Sequence, residues 1–272
     1  MELGEKYGIN LSMKLIESRQ NPIIKLVRSL GEKKARKREG LFLLEGLRMM
    51  ETVKERQFPL KYLLVGENFS HSHLVQSLSP LAREVYQLPQ EILEQLSGVQ
   101  QSQGILAAAE IPQPLNPETI KPRGIYLLLE KINDPGNLGT IIRLCWGGGA
   151  SGLFLAGDCA DLYEPKTVRS TAGGILKVPV YHFAESSEAL DFFQKKLIKP
   201  YLTVCQGAKP YYQTRFKTPL VLCFGSEAHG LSPEFMSRGL ESVGIPLEPG
   251  VDSLNLAMSC GILLYGAKYP NC

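Results

Sequence analysis

The chain has 272 residues, 44% hydrophobic and 21% charged, an ordinary globular composition with enough length for two cores. No apolar run reaches the ~20 residues of a membrane helix, and residues 1–10 carry Glu2 and Glu5 with no apolar stretch, so neither a membrane span nor a secretory signal is expected. Six scattered cysteines (Cys145, Cys159, Cys205, Cys223, Cys260 and Cys272) form no CxxC pair and no zinc-ligand spacing, which predicts reduced thiols in a cytoplasmic protein without a metal.

Residues 21–30 have the spacing of an amphipathic helix. A dense basic run follows, Gly31-Glu-Lys-Lys-Ala-Arg-Lys-Arg-Glu-Gly40. Between Lys14 and Lys61 there are thirteen Lys/Arg against six Asp/Glu, so this stretch carries +7 in a chain whose net charge is +3. Such a block reads either as a contact with phosphates or as a solvated helix end or loop. Residues 41–44 then read as a short apolar strand, 46–56 as a helix, 61–65 as a strand, 91–96 as a helix and 104–109 as a strand. Strand and helix alternate, which predicts a small α/β domain over residues 1–109. Four prolines between Glu110 and Gly124 oppose both helix and central strand, and 110–123 is read as an interdomain linker.

Beyond it the apolar runs strengthen at 125–129, 152–156, 201–204 and 219–224, with helical stretches between them. Continuous apolar strands separated by helices predict a mostly parallel sheet covered on both faces over residues 124–272.

Three polar loops stand at or near the ends of predicted strands, where open α/β sheets bind ligands. The first is Asn133-Asp-Pro-Gly-Asn-Leu-Gly139, a tight turn that offers the Asn137 amide and opens a helix containing Arg143. The second is Phe224-Gly-Ser-Glu-Ala-His-Gly230, which sets Glu227 between Gly225 and Gly230. A carboxylate there is costly unless it meets a donor or a ligand. The lone His229 in this loop reads by itself as structural. The third loop runs from Ile245-Pro-Leu247 to Ser253-Leu-Asn255 and enters a helix rich in small residues. Taken singly, each loop is equally an ordinary turn or a capped helix start. Gly147-Gly-Gly149-Ala-Ser-Gly152 satisfies GxGxxG, but a helix precedes it and a strand follows, the reverse of a dinucleotide-binding loop.

Together and in this order, the three loops resemble the motifs of the SpoU family of RNA ribose methyltransferases, within the wider SPOUT class. The matches are Asp134-Pro-Gly-Asn137-Leu-Gly139 with Arg143, Gly225-Ser-Glu227-Ala-His-Gly230, and Ser253-Leu254-Asn255. Val168-Arg-Ser-Thr-Ala-Gly-Gly174 resembles an internal family segment. Upstream, Glu17-Ser-Arg-Gln-Asn-Pro-Ile-Ile-Lys25, Leu44-Glu-Gly-Leu-Arg48 and Gln103-Gly-Ile-Leu-Ala107 resemble the small substrate-binding domain of many members. The run Gly147-Gly-Gly-Ala-Ser151 departs from relatives that carry a bulkier residue beside a single glycine, and it touches no motif residue.

The resemblance implies a SPOUT domain whose last segment threads a deep trefoil knot, working as a homodimer with its site near the dimer interface. It implies S-adenosylmethionine held by Gly225, Ser226, Glu227, Gly230, Ile245, Pro246, Leu247, Ser253, Leu254 and Asn255. It implies RNA, ribosomal RNA foremost, methylated on a ribose 2′-hydroxyl, with Asn137, Arg143, Glu227, Ser253 and Asn255 at the reaction. Arg143 is the family's proposed base. A free arginine has a pKa of roughly 12.5–13.8, so it equally serves to position a phosphate and stabilise an alkoxide. RNA contacts are expected from Arg19, Lys25, Lys33, Lys34, Arg36, Lys37, Arg38 and Arg48. A tRNA ribose methyltransferase, a base-directed enzyme of the same fold and a non-catalytic RNA-binding assembly factor remain as alternatives.

Overall fold

The computed structural model describes residues 13–98 and 102–269. The opening segment and Cys272, which carried the expectations of no secretory signal and of a sixth reduced thiol, lie outside the described residues. The chain forms two compact units: residues up to 112 together with 161–176, and 113–160 together with 177 onward. Among the described residues no helix is long and apolar enough to cross a membrane.

The N-terminal unit begins with β1 (Lys14–Leu15) and α1 (Pro22–Ser29). Asn21 caps α1 by accepting from the Ile23 N–H at 2.8 Å, and Pro22 occupies the first helical position, where no N–H is needed. Then come α2 (Lys33–Glu39), β2 (Leu41–Glu45), α3 (Leu47–Arg56), β3 (Leu60–Gly66), α4 (Ser72–Leu78), β4 (Ala82–Leu88), α5 (Gln90–Leu96) and β5 (Ile105–Glu110). The strand order is β1-β4-β3-β5-β2, parallel through β1, β4 and β3 and antiparallel at β5. Strand side chains alternate between faces, and both faces are covered. Phe42, Leu44, Leu63, Val65, Ile105 and Ala107 join one core. Their neighbours Leu41, Leu43, Tyr62, Leu64, Leu106 and Ala108 join the other, under α1 and α5. The basic run is helical as α2, stopped by Gly40 at φ 64.

The C-terminal unit opens with β6 (Ile125–Glu130), α6 (Pro135–Gly148) and β7 (Gly152–Ala156). The Gly147–Gly149 run is a helix-to-strand turn, with Gly149 at φ 65 closing α6. Gly148 lets α10, introduced below, approach: a Cβ there would sit 2.5 Å from Leu264 Cδ2. The chain next makes an excursion. Residues 161–176, including α7 (Pro165–Ser170), pack in the N-terminal unit, where Val168 is part of the first core and Tyr163, Ile175 and Leu176 lie against it. This segment falls inside the stretch expected to belong wholly to the methyltransferase domain.

After it follow β8 (Val180–Phe183), α8 (Ser186–Lys195), β9 (Lys199–Thr203), β10 (Lys209–Pro210), β11 (Leu220–Phe224), α9 (Pro233–Met236), β12 (Glu241–Gly244) and α10 (Leu256–Lys268). The seven strands are all parallel in the order β10-β12-β9-β11-β6-β7-β8. Every residue of β6, β7 and β11 is buried, as expected of parallel strands covered on both faces. One face packs Tyr126, Leu128, Phe154, Val221 and Cys223 against Phe192, Phe193 and Phe235. On the other, α10 packs against α6, β6 and β11.

Candidate active site

The topology explains why the three motif loops meet. Strands β6 and β11 are neighbours and run parallel, so the turns after Glu130 and after Phe224 leave the same sheet edge side by side. The first turn is braced by Asp134, whose side chain accepts from the Asn137 N–H at 2.6 Å and caps α6. The second turn is closed on itself by Ser226 N–H to Gly230 O at 3.1 Å and Gly230 N–H to Ser226 O at 2.9 Å. Gly225 has no alternative there: a Cβ would fall 1.9 Å from the carbonyl carbon of Gly230. The third loop ends in Asn255, whose side chain accepts from the N–H groups of Ala257 and Met258 and so caps α10.

One hydrogen-bond chain ties the three together. Asn137 Nδ2 donates to Glu227 Oε1 at 2.8 Å, and Asn255 Nδ2 donates to Asn137 Oδ1 at 3.2 Å. Each asparagine therefore uses both ends of its amide, which fixes its orientation.

Two openings adjoin this chain. A cavity of about 360 Å³ is lined by nine of the ten expected cofactor residues, Gly225, Ser226, Glu227, Gly230, Ile245, Leu247, Ser253, Leu254 and Asn255. The tenth, Pro246, is not on its wall. Thr203, Val204 and Cys205 also line it and were not foreseen, although the strand that delivers them was, and the rule that ligands sit at carboxyl ends of strands points to them. A polar groove of about 640 Å³ lies beside it, sharing Ser226, Glu227 and Asn255 and adding Asn133, Asp134, Asn137 and His229. Ser226 Oγ accepts from the His229 N–H at 3.2 Å, and this histidine is exposed on the groove, not packed in a core.

Glu130 is the residue that sequence reasoning missed most completely. It is only 1% exposed, yet it carries a carboxylate. Oε2 accepts from the Ser232 N–H at 2.8 Å, and Oε1 accepts from Ser186 Oγ. Ser186 opens α8 and Ser232 caps α9, so donors at the starts of two helices converge on one buried side chain. Glu130 thereby fastens the exit of the Gly225–Gly230 turn to the strand that enters the Asn137 turn.

Arg143 does not join the cluster. It is exposed on α6, lines neither opening, and makes no side-chain hydrogen bond or ion pair among the described residues. Burial pushes the thiol of Cys145 up to about 12 and raises those of Cys223 and Cys260 as well, so these three are packing residues and not nucleophiles.

In the N-terminal unit Arg19, Lys25, Lys33, Lys34, Lys37, Arg38 and Arg48 are exposed, as a phosphate-facing role requires. Arg36 departs from that expectation. It is 3% exposed, donates to the carbonyls of Leu30 (2.9 Å) and Gly31 (2.8 Å), and pairs with Asp161 Oδ2 at 2.7 Å. The helical period turns it inward beside Ala35, so it anchors α2 and presents no charge to a ligand.

Comparison with known proteins agrees with this layout. Residues 124–265 match the model of the SpoU rRNA Methylase family, and residues 21–107 match an MRM3-like substrate binding domain. An uncharacterized tRNA/rRNA methyltransferase of Synechocystis sp. is 32% identical, with 96% of each chain covered. The 23S rRNA (guanosine(2553)-2′-O)-methyltransferase RlmP of Bacillus subtilis is 27% identical over 93% of this chain and 98% of its own. The crystal structure of an AdoMet-bound rRNA methyltransferase from Sinorhizobium meliloti superposes with a TM-score of 0.86 at 27% identity, covering 96% of this chain and 99% of that one. With the family model spanning more than half its length, the chain belongs to the SpoU rRNA methylase family.

Proposed function

We propose that the protein is an S-adenosylmethionine-dependent methyltransferase acting on a ribose 2′-hydroxyl of ribosomal RNA. The observation that carries this reading is the chain Glu227–Asn137–Asn255, which unites the three motifs at the boundary between cavity and groove. The relatives' activities support it, since RlmP is named a 23S rRNA 2′-O-methyltransferase.

The cavity suits the cofactor. Its volume falls in the ~300–1,000 Å³ range of small-molecule sites. Val204, Leu247 and Leu263 offer apolar walls to an adenine ring, Ser226, Ser253 and Asn255 offer hydrogen bonds, and the Glu227 carboxylate favours a cationic group. S-adenosylmethionine supplies an electrophilic methyl group on a sulfonium. What remains for the protein is to align the hydroxyl and stabilise its oxygen while the proton passes to solvent. Asn137 and Asn255 orient the ribose from the groove side, and Ser253 does so from the cavity wall. Glu227 holds Asn137 in place and stabilises positive charge at the cavity mouth. Arg143 binds the RNA phosphate and stabilises the developing alkoxide.

The exposed Arg143 fits a homodimeric site. Met258, Tyr265 and Tyr269 on and just past α10, with Tyr212 nearby in the same unit, expose apolar surface of the kind a second copy covers. A trefoil knot is part of the same reading, supported by the return of the chain from β12 near the sheet edge to α10 against β6 and β11. The proposed place of action is the cytoplasm.

Purified protein, isotopically labelled S-adenosylmethionine and unmodified large-subunit rRNA test the reading after digestion to nucleosides. Label in a 2′-O-methylnucleoside is expected. Label on a base would overturn the ribose assignment, and label only with transfer RNA would overturn the rRNA assignment.

A further inference from the structure

A second constellation of charge lies in the N-terminal unit. A pocket of about 350 Å³ is lined by Glu45, Gly46, Arg48, Gln103, Arg169 and Ala172, among others. Two of these side chains are arginines, and the segment carrying Arg169 lies outside the part of the chain that matches the substrate binding domain.

The single carboxylate is already engaged. Glu45 Oε1 accepts from Ser97 Oγ, and Oε2 accepts from Arg169 Nη1 at 3.4 Å. That long contact compensates the Glu45 charge while occupying one nitrogen of a five-donor guanidinium. The guanidinium has a shaped seat: a Cβ at Gly98 would lie 2.4 Å from Nη1 and 3.0 Å from Nη2, so it rests where only glycine leaves room. Its side chain stays 26% exposed.

The pocket also receives the start of α3. That ten-residue helix begins after Gly46 at φ 96, has no acidic residue in its first turn, and is capped by Gln103 Oε1, which accepts from the Leu47 N–H at 2.7 Å. A helix N-terminus carries partial positive charge, and the one acid beside it, Glu45, is already engaged by Ser97 and Arg169. Two guanidiniums, a positive helix end and one compensated carboxylate leave a net cationic hollow with planar donor forks. Phosphodiesters match that geometry.

We propose that this pocket seats a backbone phosphate of the RNA substrate, held by Arg48 and Arg169. The proposal rests on the reading of RNA as substrate. It makes segment 161–176 part of the RNA seat as well as a filler of the core.

The test is binding of an unmodified transcript of large-subunit rRNA to the full-length protein over a range of salt, with methyl transfer assayed in parallel. Arg169→Gln and Arg48→Gln are each expected to weaken binding about tenfold at fixed salt. Each should also flatten the log–log salt slope by roughly 0.7–0.9, one phosphate contact's worth. Because Arg169→Gln also removes the contact with Glu45, its melting temperature is compared with wild type, and Arg48→Gln decides the matter if Arg169→Gln is destabilised. Unchanged slopes in Arg48→Gln overturn the proposal, as does a wild-type protein that does not bind the transcript. A wild type that binds with its full slope but transfers no methyl group sinks the enzymatic reading and leaves the pocket standing.

Discussion

Around the cavity of the C-terminal unit, polar groups hold one another: Glu227 fixes Asn137, Asn137 fixes Asn255, Asn255 caps α10, and Glu130 ties the exit of the Gly225–Gly230 turn to β6. On the cationic face of the N-terminal unit, Lys33, Lys34, Lys37 and Arg38 are exposed on α2, Arg38 in a surface pair with Glu39, whereas Arg36 is buried and locked. Under the proposed function the two regions would meet different demands. In-line methyl transfer depends steeply on alignment, which rewards groups whose rotamers are fixed beforehand. Neutralising a phosphate backbone depends on charge density more than direction, which long mobile side chains supply.

The contrast is broken if substitutions near the cavity are tolerated as easily as those on α2. The largest effect is expected from Gly225→Ala, whose Cβ cannot coexist with the Gly230 backbone. Calorimetry with S-adenosylmethionine should show affinity reduced by more than about 100-fold, since overpacking a backbone contact costs several kcal/mol. Arg143→Ala comes next: turnover should fall by at least about 100-fold while cofactor affinity stays within about twofold, because Arg143 lines no part of the cavity. Near-normal turnover would remove Arg143 from the mechanism.

Glu130→Ala strips the acceptor from Ser232 and Ser186 and should cost about 3 kcal/mol in denaturant unfolding, with Glu130→Gln recovering part of it. Within the N-terminal unit a finer split is expected. Arg36→Ala should cost about 3 kcal/mol, because it leaves Asp161 and two carbonyls without their partner, and should leave the RNA salt slope unchanged. Replacing Lys33, Lys34, Lys37 and Arg38 by glutamine should do the reverse, changing stability by no more than about 0.5 kcal/mol while flattening the slope. If Arg36→Ala moved the slope as much as the four exposed changes, the division between anchor and ligand contact on α2 would fail.

Much of this was legible in the residues. The apolar runs of β6, β7 and β11 announced a parallel sheet, and nine cavity residues followed from the motif loops. The rest was hidden for identifiable reasons. Arg36 sits in a run of cations, and composition does not say which of them the helix turns inward. Glu130 ends an apolar strand, and its partners Ser186 and Ser232 are 56 and 102 residues away. Thr203 ends a recognised strand and Val204 and Cys205 follow it, but they carry no motif. β4 mixes charged and polar residues with apolar ones, and β8 is short and only partly buried, so neither has the continuous apolar pattern of the central strands. Segment 161–176 reads locally as a turn and a short helix, and its destination is set by the apolar surface it completes beside Phe42 and Thr52.

That excursion has a consequence for modularity. The backbone passes between the two units three times, at 112/113, 160/161 and 176/177. Severing the proline-rich stretch alone would yield an N-terminal fragment lacking Val168 and its neighbours, and a C-terminal fragment carrying an apolar strip with no core to enter. Such units are not interchangeable cassettes. Grafting a new recognition module onto this methylase would require transplanting residues 161–176 with it, so specificity and catalysis are inherited together.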